Sequence, residues 1–380
     1  MDVRDFDFDL PSELIAQEPA PDRGASRLLV LDRAGGSLRH THVRALPDLL
    51  RAGDLLVVND TRVFPARLLG RRVPSGGAVE CLLVARAGTD RGQTGDRPGD
   101  GPGTDPGVRR VSDPPPDPRL TPELWEALVH PGQKLKPGAR VVFEGSHTLH
   151  GEVLERRFFG RRLVRLWTED GTTVEAAVDA IGHVPLPPYI KRDDRLDDRD
   201  RYQTVFAQAR GSIAAPTAGL HFNPPLVAAL TARGVETTAI TLHVGYGTFQ
   251  PVRVDRVEDH RLEPERYRIS PAAAAAIARA RDGGHRIIAV GTTTTRTLEA
   301  DAIAHDGGIL AGEGATDLFI YPGFEFRIVS GLLTNFHLPR SSLLMLVSAF
   351  AGRAAVMAAY HAAIAERYRF YSYGDGMLIL

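Results

Sequence analysis

The sequence predicts an α/β protein, an open α/β domain interrupted by an inserted small β-barrel domain. Apolar, strand-like runs repeatedly end in a Gly/Thr/His-rich turn that leads into a helix; an open α/β enzyme presents its chemistry in this way, at the carboxyl ends of its strands. Between about Arg62 and Trp167 the helical periodicity gives way to short strands and turn residues, the pattern of a closed sheet. A chain of 380 residues is long for one hydrophobic core, so two domains are expected.

Taken in order, Gly53–Asp60 reads as a turn, a buried strand and a polar exit. Segments Arg62–Arg72, Val79–Ala85, Leu124–His130, Arg140–Glu144, Val153–Phe158 and Arg162–Trp167 then predict the barrel, with a hairpin turn at Phe159-Gly160. Within it, Gly88–Pro118 is crowded with Gly, Pro, Asp and Arg and has almost no apolar residues, so residues 88–118 are expected to be a disordered insertion. The domain division is therefore 1–60 with 168–380 for the discontinuous α/β catalytic domain, and 61–167 for the barrel.

After Trp167 the α/β signal resumes. Val174–Ile181 predicts a helix, and the prolines of Leu186–Ile190 an extended segment. Lys191–Arg201 balances five basic against five acidic residues and reads as a solvated loop. Helix Pro225–Arg233 and strand Glu236–His243 follow, then an alanine-rich helix, Ala272–Arg281, ended by Gly283-Gly284. Strand Arg286–Val290 leads through the turn Gly291–Thr295 into helix Arg296–His305. Leu318–Tyr321 and Leu332–Phe336 are expected strands, and Leu343–Phe350 and Ala354–Arg367 expected helices.

Composition narrows the class. Hydrophobic content of 43% and charged content of 24% are those of an ordinary globular protein. No apolar run approaches the ~20 residues a membrane span needs, and the acidic start Met1–Asp7 lacks the pattern of a secretory signal. The one cysteine, Cys81, allows no disulfide framework or cysteine metal cluster and reads as a buried strand residue. A cytoplasmic location and no membrane partner are expected. The net charge of −1 argues against a protein that coats nucleic acid, yet Arg62–Trp167 holds 18 basic against 12 acidic residues. That excess is either a phosphate footprint or a solvated arginine-rich strand face.

Chemistry is expected at the strand ends. Gly291 followed by four threonines sits where a strand turns into a helix, and free amides with adjacent hydroxyls suit a phosphate or carboxylate; threonine capping is the plainer alternative. Neither G-x-G-x-x-G nor a P-loop lysine is present. Ala214–Phe222, Thr241–Gly245 and Thr334–Pro339 each carry a histidine, and their convergence would make those histidines general acid–base candidates. They lack metal-ligand spacing, so no metal is expected. Tyr371–Gly376 adds tyrosines that could stack on a base and Asp375, a ribose ligand or a turn-former.

Ordered motifs run almost end to end: Asp9-Leu10-Pro11, Ser26–Leu29, Gly53–Val57, Thr61–Val63 with Pro65–Leu68, Ile181–His183 with Pro185–Ile190, Tyr202–Phe206, Ala214–Phe222, Leu242–Gly245 with Gly247–Val252, Ala289–Thr293, Phe319–Gly323, Thr334–Pro339 and Tyr371–Asp375. Together they resemble the S-adenosylmethionine:tRNA ribosyltransferase-isomerase family of queuosine biosynthesis. The resemblance implies an α/β domain interrupted by a β-barrel. It also implies transfer of the ribosyl moiety of S-adenosylmethionine onto 7-aminomethyl-7-deazaguanine at the tRNA wobble position, giving epoxyqueuosine and releasing adenine and methionine. S-adenosylmethionine is then a co-substrate and no cofactor is expected; tRNA carrying the deazaguanine is the partner, with no stable protein partner.

That reaction needs a base for the C5′ proton and an acid for departing adenine. His221, His243 and Asp375 are the leading candidates, with Asp60 and His337 next. Thr217, Gly219, Gly245, Gly291, Thr292, Thr293, Asn335 and Tyr373 are the expected substrate-binding residues, and Arg62, Arg67 and Arg72 the expected tRNA contacts. The chain departs from the family pattern at Tyr246, Thr294-Thr295, Glu263 and Arg266 and adds Gly88–Pro118. Two alternatives stay open on sequence alone: a related S-adenosylmethionine enzyme with another acceptor, and a catalytically silent RNA-binding protein.

Overall fold

The computed structural model describes residues 1–87, 122–245 and 252–380, with only the backbone of Phe159. The expected disordered insertion at 88–118 and the departure at Tyr246 lie outside the described residues. The strands are β1 (Arg27–Leu31), β2 (Leu38–His42), β3 (Leu55–Asn59), β4 (Thr61–Val63), β5 (Arg67–Val73), β6 (Ala78–Arg86), β7 (Glu123–His130), β8 (Arg140–Glu144), β9 (Thr148–Arg156), β10 (Arg161–Trp167), β11 (Ala209–Ser212), β12 (Glu236–Leu242), β13 (Glu265–Ile269), β14 (Ile287–Val290), β15 (Gly312–Thr316), β16 (Gly331–Asn335) and β17 (Gly376–Ile379). The helices are α1 (Leu46–Leu49), α2 (Val174–Ile181), α3 (Asp198–Arg201), α4 (Pro224–Ala232), α5 (Pro271–Asp282), α6 (Thr292–Ala304), α7 (Ser342–Ala351) and α8 (Arg353–Ala365). Two compact units result, Met1–Phe64 with Leu186–Leu380, and Pro65–Pro185.

The first unit is built on a nine-stranded sheet of order β15-β13-β12-β3-β14-β16-β17-β1-β2. Its centre, β12-β3-β14-β16, is parallel, and β17 turns antiparallel against β16. Every residue of β3, β14 and β16 is buried, as a parallel sheet covered on both faces requires. Alternate strand residues face opposite ways. Leu55, Val57 and Ala289 join the core beneath α5–α8, while Leu56, Val58 and Val290 join the core beneath α1 and α4. The helices start where local chemistry dictates: Asn223, Ser270 and Ser341 cap α4, α5 and α7 through their side chains, and proline opens α4 and α5. No single helix among the described residues is long and apolar enough to cross a membrane.

The second unit is a closed six-stranded barrel of order β10-β7-β6-β5-β8-β9. Alternation along β9 and β10 sends Val153, Val164 and Leu166 inward. Cys81 is buried there, as its strand context predicts, and desolvation pushes its thiol up to about 12.

Several sequence expectations are corrected. The barrel domain expected at 61–167 corresponds to a compact unit of Pro65–Pro185: β4, with Arg62, pairs with β11 in the first unit, while α2 packs on β9 and Ile181 closes against Gly145. Leu318–Tyr321 forms no strand: Ile320 is buried and Phe319 packs against Tyr321 with ring centres 5.2 Å apart, without a ladder. The strand there is instead the glycine-bearing β15, recruited by pairing with β13. Gly291–Thr295 is not a separate turn, since α6 begins at Thr292. Lys191–Arg201 is no free loop: it contains α3, and Asp198 within it is 1% exposed.

Candidate active site

The parallel strands β3, β12, β14 and β16 end at Asn59, Leu242, Val290 and Asn335, and the polar chemistry of the unit gathers beyond those ends. A pocket of about 710 Å3, counted out to its mouth, opens there; Thr217, Gly291, Thr292, Thr293, Asn335 and His337 line it. Tyr189 and Tyr371 form an aromatic wall, their ring centres 4.6 Å apart.

One side of the pocket is the start of α6. Gly291 has φ of 94°, a conformation that favours glycine, and its N–H donates to Leu333 O at 2.8 Å. The first intrahelical bond onto it is Thr295 N–H to Gly291 O at 3.2 Å, so the amides of the first turn lack helical acceptors. The Oγ1 atoms of Thr294 and Thr295 bond back to Val290 O and Gly291 O at 2.9 and 3.1 Å. Thr293 Oγ1, by contrast, is buried without a partner. The run therefore does two jobs: two threonines brace the helix, and Thr293 presents an open hydroxyl beside free amides.

The end of β16 supplies the opposite side. Asn335 Oδ1 accepts from Thr217 Oγ1 at 2.9 Å, while its Nδ2 donates to Tyr371 O at 3.1 Å and lies 3.3 Å from His221 Nε2. An amide NH2 can only donate, which assigns His221 Nε2 as acceptor and places the ring proton on Nδ1. Burial, helped by the charges of Arg369 and Arg23, lowers the His221 pKa to about 4. Burial alone lowers that of His337 to about 3, and its Nε2 pairs with Thr334 Oγ1 at 2.8 Å. Both imidazoles are neutral near pH 7.

A second polar group forms where β3 and β12 end. His243 Nδ1 lies 2.8 Å from Thr61 Oγ1, which in turn donates to Ala209 O at 3.4 Å. With the Thr61 hydroxyl donating to Ala209 O, the His243 proton sits on Nδ1 and Nε2 keeps its lone pair. Gly211 passes so close beneath the ring that a Cβ would meet Cε1 at 2.7 Å. Asp60 accepts from Thr241 Oγ1 at 2.6 Å. Burial lowers the His243 pKa, whereas the Asp60 carboxylate opposes that shift. The half-buried His243 is thus the histidine here with a charged neighbour favouring its protonated form.

Two buried carboxylates brace these loops. Glu265 Oε1 accepts from Gly245 N–H at 2.9 Å, and its Oε2 meets Arg296 Nη1 of α6 at 2.7 Å. Asp198 accepts from Arg192 through both oxygens, at 2.6 and 2.9 Å, and from the Tyr373 hydroxyl at 2.9 Å. Next to Tyr373, Ser372 Oγ pairs with the Tyr189 hydroxyl at 2.6 Å.

The model of the family described as "Queuosine biosynthesis protein" matches residues 3–379. The chain belongs to this family. It is 48% identical to the S-adenosylmethionine:tRNA ribosyltransferase-isomerase of Heliobacterium modesticaldum and 49% identical to that of Symbiobacterium thermophilum, with all of each chain covered. The crystal structure of S-adenosylmethionine tRNA ribosyltransferase from Thermotoga maritima is similar at 36% identity and a TM-score of 0.51, over 99% of this chain and 100% of that one.

In this queuosine biosynthesis protein the expected site residues separate into distinct posts. Thr217, Gly291, Thr292, Thr293, Asn335 and His337 line the pocket, and His221 touches it through Asn335. Asp60 and His243 form the neighbouring group. Asp375 is a tie: its oxygens accept from the main-chain amides of Arg27 and Arg369 at 2.9 and 2.8 Å, outside the pocket lining. Tyr373 is likewise held by Asp198, Gly245 by Glu265, and Gly219 packs where a Cβ would meet Thr204 at 2.8 Å. Arg62 is exposed, Arg67 chelates Glu80 at 2.9 and 3.2 Å, and Arg72 Nε is buried without a partner. Sequence reading missed Gly211, Glu265, Arg296, Tyr189 and Asp198. The Gly211-Ser212 pair was the one local signal available for the first of them.

Proposed function

We propose that this chain transfers the ribosyl moiety of S-adenosylmethionine to 7-aminomethyl-7-deazaguanine at the tRNA wobble position, giving epoxyqueuosine and releasing adenine and methionine. The observation that carries the reading is the strand-end pocket. It is largely walled by apolar and aromatic groups, yet it presents an unpartnered hydroxyl and free helix amides on one side. S-adenosylmethionine enters as co-substrate. The sulfonium acidifies the C5′ protons, and His243 is the residue assigned to remove one, because its tautomer leaves Nε2 basic and Asp60 favours the protonated product.

His221 and His337 stay neutral and serve as hydrogen-bonding partners, His221 through Asn335 and His337 through Thr334. The amides of Thr292 and Thr293 with Thr293 Oγ1 receive the methionine carboxylate, a group suited to the positive end of α6. Tyr189 and Tyr371, their rings tilted by 37°, offer aromatic faces to the adenine or the deazaguanine. Asp375 is assigned a structural role, since it lies outside the pocket lining and ties the main-chain amides of Arg27 and Arg369. A cytoplasmic setting, where tRNA and S-adenosylmethionine are both present, fits this reading.

The test is incubation with S-adenosylmethionine and tRNA bearing 7-aminomethyl-7-deazaguanine, following adenine release and the nucleoside mass. Adenine release without tRNA modification would point to a different acceptor. Salt-sensitive tRNA binding with no adenine release would point to a silent binding protein.

A further inference from the structure

Arg23 and Arg201 hold each other's loops in a reciprocal clasp. Arg23 Nη2 donates to Asp200 O at 3.0 Å, and Arg201 donates to Ala20 O and, at 3.2 Å, to Pro21 O. Both side chains are half-buried, and among the described residues neither pairs with a carboxylate. Arg23 Nη1 is sealed from solvent and has no acceptor. Arg369 stands close by: with Arg23 it acts on the His221 imidazole, while its own Nη1 reaches only Glu18 O at 3.3 Å and its Nε stays 3.9 Å from the occupied Asp375.

Guanidinium groups gathered in partly desolvated surroundings repel one another. Burial first, and then the neighbouring Arg201 charge, lowers the Arg23 pKa against the weaker pull of Tyr373 and Asp200. An arginine fork with an unsatisfied donor beside a second cation matches an oxyanion bearing several acceptor oxygens. Neither arginine lines the strand-end pocket, so this locus is separate from the one assigned to the methionine carboxylate.

We propose that Arg23 and Arg201, with Arg369 behind them, form a binding site for a backbone phosphodiester of the RNA substrate, holding the strand beside His221. This rests on the reading of the chain as acting on tRNA. It adds a phosphate contact to Arg62, Arg67 and Arg72, the tRNA contacts expected from the sequence.

The experiment measures tRNA affinity between 0.05 and 0.3 M salt for the wild type and for the Arg23→Gln, Arg201→Gln, Arg23→Lys and Arg201→Lys variants. S-adenosylmethionine affinity and urea unfolding are recorded in parallel. Each glutamine variant is expected to lower the salt slope by about 1 and to weaken tRNA binding about eightfold at 0.1 M salt. The lysine variants should restore most of the slope, and S-adenosylmethionine affinity should not change.

An unchanged slope in folded glutamine variants overturns the proposal. So does a loss confined to S-adenosylmethionine affinity, which would make the cluster a carboxylate site. So does protection of the wild type by inorganic phosphate without any change in tRNA slope, which would mark a site for the free anion. If the glutamine variants unfold, the lysine variants decide through affinity at fixed salt: they keep the charge and lose the fork, so weaker tRNA binding at an unchanged slope supports the site and wild-type affinity overturns it. A wild-type protein that neither binds nor modifies tRNA would instead defeat the underlying functional reading.

Discussion

The Asn335 side chain bridges three groups at the pocket, taking the Thr217 hydroxyl on Oδ1 and facing both Tyr371 O and His221 Nε2 with Nδ2. Replacing it by alanine strands a buried hydroxyl, carbonyl and imidazole together. Asn335→Ala is expected to cost about 1–3 kcal/mol in urea unfolding, and its turnover should fall more than that stability loss accounts for. Asn335→Asp should be worse for turnover, since a carboxylate cannot donate to Tyr371 O and would draw a proton onto His221.

His221 and His337 set the acid limb of stability. Both have folded-state pKa values, about 4 and about 3, below their ordinary 6.5. Above pH 6.5 they are neutral whether the chain is folded or not, and their contribution is fully present. As pH falls the unfolded chain takes up protons the folded chain refuses, so stability is lost between pH 6.5 and about 3. The urea midpoint should decline over that window, and His337→Gln should flatten the decline.

Thr293 is expected to matter for ligand more than for fold. Its Oγ1 has no partner in the protein, so Thr293→Val should leave stability to urea unchanged or slightly raised. A hydrogen bond to a charged ligand would be lost, raising the KM for S-adenosylmethionine about tenfold with little change in kcat. Thr295→Val, removing a hydroxyl that only braces Gly291 O, should leave that KM alone.

The Glu265–Arg296 pair is buried on both sides, at 7% and 6% side-chain exposure. Arg296→Met takes the buried guanidinium away from the Glu265 carboxylate beside the Gly245 loop and is expected to cost about 3–5 kcal/mol in urea unfolding. Glu265→Gln keeps an acceptor for Gly245 N–H and should cost less.

What the sequence showed and what it hid follow from distance along the chain. Gly291, Thr292, Thr293 and Asn335 could be read because a glycine or polar residue at the end of an apolar strand is a local signal. The continuous apolar run of β3 likewise announces a central parallel strand. Asp198 was hidden in an evenly charged run, because its meaning comes from Tyr373, 175 positions away. Asp375, between two glycines, looked available for proton transfer, and only the fold brings the Arg27 and Arg369 amides onto it. β15 escaped for a related reason: Gly312 and Gly314 carry no strand preference, and pairing with β13 supplies the order.

The proton-transfer assignment rests on His243. His243→Gln should keep tRNA and S-adenosylmethionine binding while lowering kcat by about 10²–10⁴. In the wild type, the acid limb of the kcat profile should lie below the ordinary histidine value, because burial lowers the His243 pKa.

The most direct measurement is the mass of the wobble nucleoside, with adenine release followed in parallel, after incubation with S-adenosylmethionine and tRNA carrying 7-aminomethyl-7-deazaguanine. The account predicts adenine release matched by conversion of the nucleoside to epoxyqueuosine. Folded protein that binds this tRNA yet leaves the nucleoside mass unchanged would contradict it.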